Sequence, residues 1–326
     1  GTGRIGQVHA DAIATSRTAR LVAVADALPE AANRIAGRHG CRVDTIDAIE
    51  ADSSIDGVLI CTPTNTHADL IERFARAGKA IFCEKPIDLE LARVETCLTA
   101  VAETGARLMI GFNRRFDTHF TALHKAITEG RIGAVEQVLI TSRDPAPPPA
   151  TYIQVSGGIF RDMTIHDFDM ARFLLGEEPE TVTASASALV DPEIGALGDF
   201  DTASVILTTA SGRQCTISNS RRATYGYDQR IEVHGSKGSV AAMNQRAADI
   251  EVATADGYLR PPLHDFFMTR YTAAYAAEIA AFVAMIADGA PPSPTGEDGR
   301  RALVLALAAL RSVETGRAVR VDEIGA

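Results

Sequence analysis

No two cysteines in the 326-residue sequence are spaced C-x-x-C, and the five present (Cys41, Cys61, Cys83, Cys97 and Cys215) are an odd number. That pattern argues against a zinc site or a disulfide framework and suits reduced thiols in a cytoplasmic protein. Cys61, Cys83 and Cys215 fall in apolar runs, where a thiol serves as a small buried hydrophobe. The eight histidines form no spaced ligand set with cysteine, so no metal is expected. Basic residues are outnumbered: Lys+Arg 32 against Asp+Glu 42 leaves a net charge of −10, with an isoelectric point near 5.3. Without a Lys/Arg cluster, neither a nucleic-acid groove nor an anionic membrane patch is expected. Long hydrophobic runs are missing too; residues 302–310 form one of the longest, far short of a bilayer span. No charged-then-apolar leader is visible in these residues.

What is present is the make-up of a globular protein, with 46% hydrophobic and 23% charged residues and a mean hydropathy of +0.03. The length suits two domains of roughly 150 residues each and a large core. Up to about residue 115, short apolar runs at 21–26, 57–62, 80–83 and 107–112 alternate with helical stretches. The runs do not alternate polar with apolar, as expected of strands buried on both faces of a parallel sheet. Helices are predicted over 66–77, with Leu70, Ile71, Phe74 and Ala77 on one face, and over 89–104; Gly78 and Gly105 supply the stops. Strand, helix, strand, helix implies a doubly wound α/β domain over 1–115.

From 116 to 326 the character changes. A helix over 116–129 leads to a strand over 135–142, a proline-rich loop at 144–149 and a helix over 162–175. Period-two or β-branched runs follow at 181–190, 203–209, 214–218 and 229–233, separated by Gly and Asp turns, as in an open, mainly antiparallel sheet. Helices over 264–287 and 298–314, joined at a proline-rich break over 291–294, close this α+β domain.

Gly1-Thr-Gly-Arg-Ile-Gly6 is a G-x-G-x-x-G opening a helical pattern. The first glycine permits a tight turn, the second lets backbone approach a pyrophosphate, and the third allows close helix–strand packing. The helix N-terminus faces the phosphates. Alone the motif is weak. Here Asp26 stands at the end of the next strand, twenty-five residues after Gly1, where a carboxylate accepts from the ribose hydroxyls and repels a 2′-phosphate. No arginine follows it closely, so NAD is favoured over NADP. The fingerprint normally follows the central strand of the sheet. A segment of about six to ten apolar residues is therefore expected before Gly1 in the natural chain. An intact mass of 34.6 kDa for the natural protein would refute that.

Three further segments carry chemistry. Lys85, in Cys83-Glu-Lys-Pro86, stands at the carboxyl end of a buried strand. There it is either a solvated loop lysine or a donor to a developing alkoxide. Asp162 and His166 are four apart. On a helix they share a face, as a surface ion pair or as a histidine suited to taking an alcohol proton. Tyr225-Gly-Tyr-Asp228 reads by spacing as an ordinary turn.

Together the fingerprint, Cys61-Thr-Pro-Thr-Asn-Thr-His67, Glu84-Lys-Pro86 and Asp162/His166 resemble the Gfo/Idh/MocA oxidoreductase family over essentially the whole chain. The segments 111–116, 142–145, 157–168 and 225–228 are most similar to the family's inositol-oxidising members. The resemblance implies a catalytic triad of Lys85, Asp162 and His166. It implies a phosphate loop of Gly1, Gly3, Arg4, Ile5 and Gly6, with Asp26 on the ribose and Thr62, Pro63 and His67 along the adenine side. Glu84 would stand near the nicotinamide ribose, with Lys85 also touching cofactor and substrate. Arg115, Asp144 and Tyr225 would join Lys85, Asp162 and His166 around a cyclitol; Asp144 replaces an asparagine of some relatives. The implied reaction is NAD-dependent oxidation of myo-inositol to a keto-inositol, with His166 as base, in a cytoplasmic homotetramer. A scyllo-inositol or pyranose dehydrogenase, a NAD-dependent glycosidase and a silent NAD-binding regulator are the rivals; the intact triad argues against the last.

Overall fold

A computed structural model describes residues 1–324, which form two compact units, one of Gly1–Asp117 with Thr272–Leu303 and the other of Thr118–Tyr271 with Val304 onward. Although the sequence pattern changes at about residue 115, the chain returns to the first unit at Thr272 and leaves it again within the helix Gly296–Thr315.

In the first unit, β1 (Ala23–Val24) pairs in parallel with β2 (Arg42–Val43), and β3 (Gly57–Ile60), β4 (Ala80–Glu84) and β5 (Leu108–Gly111) form a second parallel sheet. These are the expected buried runs, with β1 shorter than its apolar stretch and every residue of β4 and β5 buried. The helix His67–Arg76 buries Ala68, Ile71, Phe74 and Ala75. Leu70 and Ala77, expected on that face, are only half-buried, so the packed stripe is offset from the one read in the sequence. Gly105 caps the helix Leu91–Thr104 at φ +65°, a left-handed conformation that glycine adopts without a Cβ clash. Phe282 and Met285, from the returning helix Thr272–Ala287, pack with Ala80, Phe82 and Met109. Each buried phenylalanine there contributes roughly 2–3 kcal/mol of transfer free energy. The expected helix over 264–287 is broken: Phe267–Arg270 and Thr272–Ala287 are separate, with Tyr271 between them.

The second unit is built on one sheet. Its strands are β6 (Val135–Arg143), β7 (Pro179–Ser187), β8 (Thr202–Thr209), β9 (Gln214–Ser220), β10 (Asp228–Gly235), β11 (Gly238–Ala242) and, beyond the small hairpin β12 (Val252–Thr254) and β13 (Gly257–Leu259), β14 (Val319–Arg320). The spatial order is β11-β10-β6-β9-β8-β7-β14, antiparallel throughout except for the parallel pair β6–β9. Alternate residues such as Val205, Leu207, Cys215, Ile217, Ile231 and Val233 are buried, whereas Leu139 and Ile206 are exposed on the other side.

The helix Ile165–Leu175 packs on β6 and β9 through buried Ile165, Phe168, Ala171 and Leu175. Polar groups lock it there: Asn219 donates from Nδ2 to Asp167 Oδ2 (2.8 Å), and the Thr164 hydroxyl donates to Asn219 Oδ1 (2.7 Å). The single helix expected over 162–175 is two pieces, Ile159–Asp162 and Ile165–Leu175. Thr164 N–H bonds back five residues to Ile159 O, and Asp167 N–H reaches only three back, to Thr164 O. The α-helical ladder therefore slips between Asp162 and His166, which stand on two successive helical pieces and not on one continuous helix.

Candidate active site

In the first unit the glycine loop opens the helix Arg4–Thr15. A Cβ on Gly1 would strike the Cys61 carbonyl and one on Gly6 the Gly1 carbonyl, whereas one on Gly3 would meet nothing within 4 Å. The outer two glycines therefore serve close packing, and Gly3 leaves the backbone open to a ligand at the helix N-terminus. Arg4 is exposed and Ile5 half-buried on the first turn.

Asp26, just past β1, is tied to the same loop: its Oδ2 accepts from Thr2 N–H (2.6 Å) and the Thr2 hydroxyl (2.9 Å), and its Oδ1 from Leu28 N–H (2.8 Å). Burial pushes the carboxyl up, but those bonds outweigh it and hold Asp26 below its usual range. It is a fixed anion, able to accept from two ribose hydroxyls and repulsive to a phosphate. This loop and acid fit a dinucleotide.

His67 is buried, with Nε2 2.8 Å from Thr62 O and Nδ1 2.8 Å from Pro86 O. It fastens the segment after β3 to the segment after β4. The Thr66 hydroxyl, 2.7 Å from Thr62 Oγ1 and 2.8 Å from Pro63 O, braces the same turn.

Glu84 ends β4 with Oε1 2.6 Å from His9 Nε2, and the His9 ring meets Phe82 and Tyr275 edge-on at 5.0 and 5.4 Å. Glu278 lies in the same interior, fully buried, with neither carboxylate oxygen hydrogen-bonded. Burial first, and then the Glu84 charge, push its carboxyl well above the ordinary range, which keeps it neutral. His9 and Glu278 went unnoticed in the sequence. The visible signal was a lone acid in the otherwise apolar stretch Ala273-Ala-Tyr-Ala-Ala-Glu-Ile-Ala-Ala-Phe282.

Lys85 follows Glu84, half-buried at the carboxyl end of β4. Arg115 donates from Nη2 to Asp298 Oδ1 (2.9 Å), and Asp298 Oδ2 accepts from Thr295 N–H and hydroxyl at 2.8 and 2.9 Å.

The second unit contributes a separate group of residues. Asp162 ends its helical turn with Oδ1 accepting from the Tyr152 hydroxyl (2.8 Å) and Oδ2 3.7 Å from Arg221 Nη2. His166 is the second residue of the next helix and is half-buried. Asp144 follows β6, where its N–H donates to Ser220 O (2.9 Å).

Tyr225 is 51% exposed, and its hydroxyl donates to Asp228 (2.6 Å) and accepts from Arg143 Nη1 (3.0 Å). Asp228 is buried, which raises its carboxyl. Hydrogen bonds from Arg230, Tyr225 and Asn244 overcome that and hold it lowered, so the ring is anchored by an anion. Sequence reading passed over Arg221, Tyr152 and Arg143; an arginine after a strand carries no spacing signal. The five cysteines are free, and no group of three or more potential metal ligands occurs among the described residues.

Residues 1–112 match the oxidoreductase family with an NAD-binding Rossmann fold, and residues 120–241 match the GFO/IDH/MocA C-terminal domain. The chain is 69% identical over 321 residues to an inositol 2-dehydrogenase of Rhizobium meliloti (strain 1021), spanning 98% of this chain and 97% of that protein. It is 46% identical over 327 residues to a myo-inositol 2-dehydrogenase of Thermotoga maritima, covering 99% and 98%. A crystal structure of scyllo-inositol dehydrogenase from Lactobacillus casei, with bound NAD(H) and scyllo-inositol, superposes with a TM-score of 0.92 at 29% identity, covering 99% of this chain and 97% of that one.

Proposed function

The chain belongs to the Gfo/Idh/MocA oxidoreductases, with their NAD-binding Rossmann fold, and on that footing we propose that it oxidises myo-inositol to 2-keto-myo-inositol. The observation that carries this reading is near-full-length identity of 69% to an inositol 2-dehydrogenase, in a chain that has Lys85, Asp162 and His166.

Bound NAD supplies the hydride acceptor. Gly1, Gly3, Arg4, Ile5 and Gly6 would hold its pyrophosphate, and Asp26 its adenosine ribose. Thr62, Pro63 and His67 would shape the adenine side, and Glu84 would stand near the nicotinamide ribose. His166 takes the proton of the ring hydroxyl while hydride leaves the same carbon, so the alcohol becomes a ketone and the proton later passes to solvent. Asp162 orients His166 and favours the protonated imidazole that results. Lys85 donates to the reacting oxygen and steadies the developing alkoxide. An uncharged polyol calls for several polar partners, and Arg115, Asp144 and Tyr225 supply them. Residues 1–115 do the cofactor work and 116–326 the substrate and assembly work, with Thr272–Leu303 returning as scaffold to the first unit. The chain works in the cytoplasm as a homotetramer.

Scyllo-inositol is the second reading, favoured by the bound polyol of the Lactobacillus casei structure. NADH formation followed by absorbance with NAD and myo-inositol, beside scyllo-inositol, glucose and NADP, is the test. Turnover with NAD and myo-inositol above the others is expected. Turnover on another polyol would keep the mechanism and change the substrate. No NADH from any of them, with NAD still bound, would overturn the reading in favour of a glycosidase or a regulator.

A further inference from the structure

Arg221 is among the largest fully buried side chains, at 1% exposure, and it directly follows β9. A cation so enclosed is costly unless it is compensated. Two carboxylates face it: Asp199 Oδ2 at 3.4 Å and Asp162 Oδ2 at 3.7 Å from the same Nη2. None of its three side-chain nitrogens makes a hydrogen bond among the described residues, so its hold on both acids is Coulombic rather than a directed fork. Asp199 is itself anchored, with Oδ1 accepting from Ile159 N–H (2.9 Å) at the start of the turn Ile159–Asp162. Gly158, at φ +84°, allows that approach, since a Cβ there would lie 2.8 Å from Asp199 Oδ1. One buried guanidinium thus bridges an acid bound to the first residue of the turn and the acid that is its last.

Asp199 alone would neutralise Arg221, so a purely structural pair has no need of Asp162. Asp162 is also the more exposed of the two acids, at 17% against 9% for the side chain, and it is the acid that orients His166 in the proposed mechanism.

We propose that Arg221 is a positioning residue for the oxidation: its buried charge holds Asp162 as a placed carboxylate, with Tyr152 on the other oxygen and Asp199 as the structural counter-ion. The proposal rests on the reading that Asp162 and His166 carry the proton transfer. Removing the cation leaves the Asp162/His166 pair with one positive neighbour fewer, so the pair retains its proton to higher pH and the base is lost earlier on acidification.

The test uses Arg221→Lys, Arg221→Met and the double variant Arg221→Met/Asp199→Asn. The double variant neutralises both buried partners together, which usually preserves folding better than stranding one charge. In Arg221→Met the acid limb of the kcat/KM profile should move up by about one pH unit, and in the double variant, which also loses the anion Asp199, by less, with kcat lowered about tenfold or more and NAD affinity unchanged in both. Arg221→Lys should keep the limb near the wild-type position, although a lysine donor has a different shape. The same upward move is expected without any substrate in the proton-NMR titration of the His166 ring. A wild-type acid limb and an unmoved His166 titration in folded Arg221→Met, or in both variants, would make Arg221 structural only and overturn the proposal. A wild-type protein that oxidises no polyol, but whose His166 titration still shifts in the variant, would remove the functional reading and leave the electrostatic coupling standing.

Discussion

Lys85 is the residue whose removal separates binding from chemistry most cleanly. The phosphate loop and the tethered Asp26 are built from other side chains, so Lys85→Ala should leave NAD affinity within about a factor of three. If the lysine steadies the alkoxide, kcat should fall by about two to three orders of magnitude. NAD titration by fluorescence and steady-state turnover, run on the same preparation, check both halves, and near-normal turnover would take the lysine out of the mechanism. Glu278 presents a different case, because its carboxyl is raised and not lowered. Above the ordinary glutamate range the unfolded chain releases this proton while the folded chain keeps it. The folded state then binds more protons, and stability falls as pH rises toward the raised value. Glu278→Gln carries no such proton, so it should flatten that slope. Urea unfolding at pH 5 and pH 8 should show the variant gaining on wild type at the higher pH, and parallel curves would refute the neutral buried acid.

Elements show where sequence reading succeeds and where it stops. The buried runs of β3 to β5 and the alternating runs of β8 to β10 were legible because burial on two faces and on one face leave different periodicities. The glycine loop and Asp26 were legible because their spacing is dictated by the dinucleotide. The broken helix between Asp162 and Ile165 was not, since Met163 and Thr164 are compatible with a helix and the slip is set by tertiary bonds to Asn219 and β9. Nor were Arg221 and Glu278, whose partners come from distant segments. The Asn219 bonds are themselves testable: Asn219→Ala removes the amide that reaches Asp167 from β9 and the acceptor for Thr164. A buried bond to a charged group contributes about 1.5–3 kcal/mol, so a stability loss of that size is expected in denaturant unfolding. Because His166 rides on the same helix, kcat should fall with it while NAD binding stays intact.

For the whole molecule, one face of the second unit's sheet bears on assembly. Leu139 and Ile206 stand exposed on one side of the second unit's sheet, 40% and 47% accessible, where polar residues would be ordinary for a face turned to water. If the chain is a homotetramer, light scattering on a size-exclusion column should return four times the mass of the denatured chain, and Leu139→Lys/Ile206→Lys should shift it downward. A single-chain mass for the unaltered protein would refute the tetramer.

The first unit's return segment has a consequence for how the protein is made. Phe282 and Met285 complete the cluster around Phe82 and Met109, yet they are encoded after the whole of residues 118–271. On a ribosome adding about 5–20 residues per second, that interval lasts roughly 8–30 s. Throughout it, the half-built nucleotide-binding part exposes Phe82 without its cover. Synthesis order, and not only final stability, therefore bears on how the first unit folds, because its cluster closes only once its last helix has emerged.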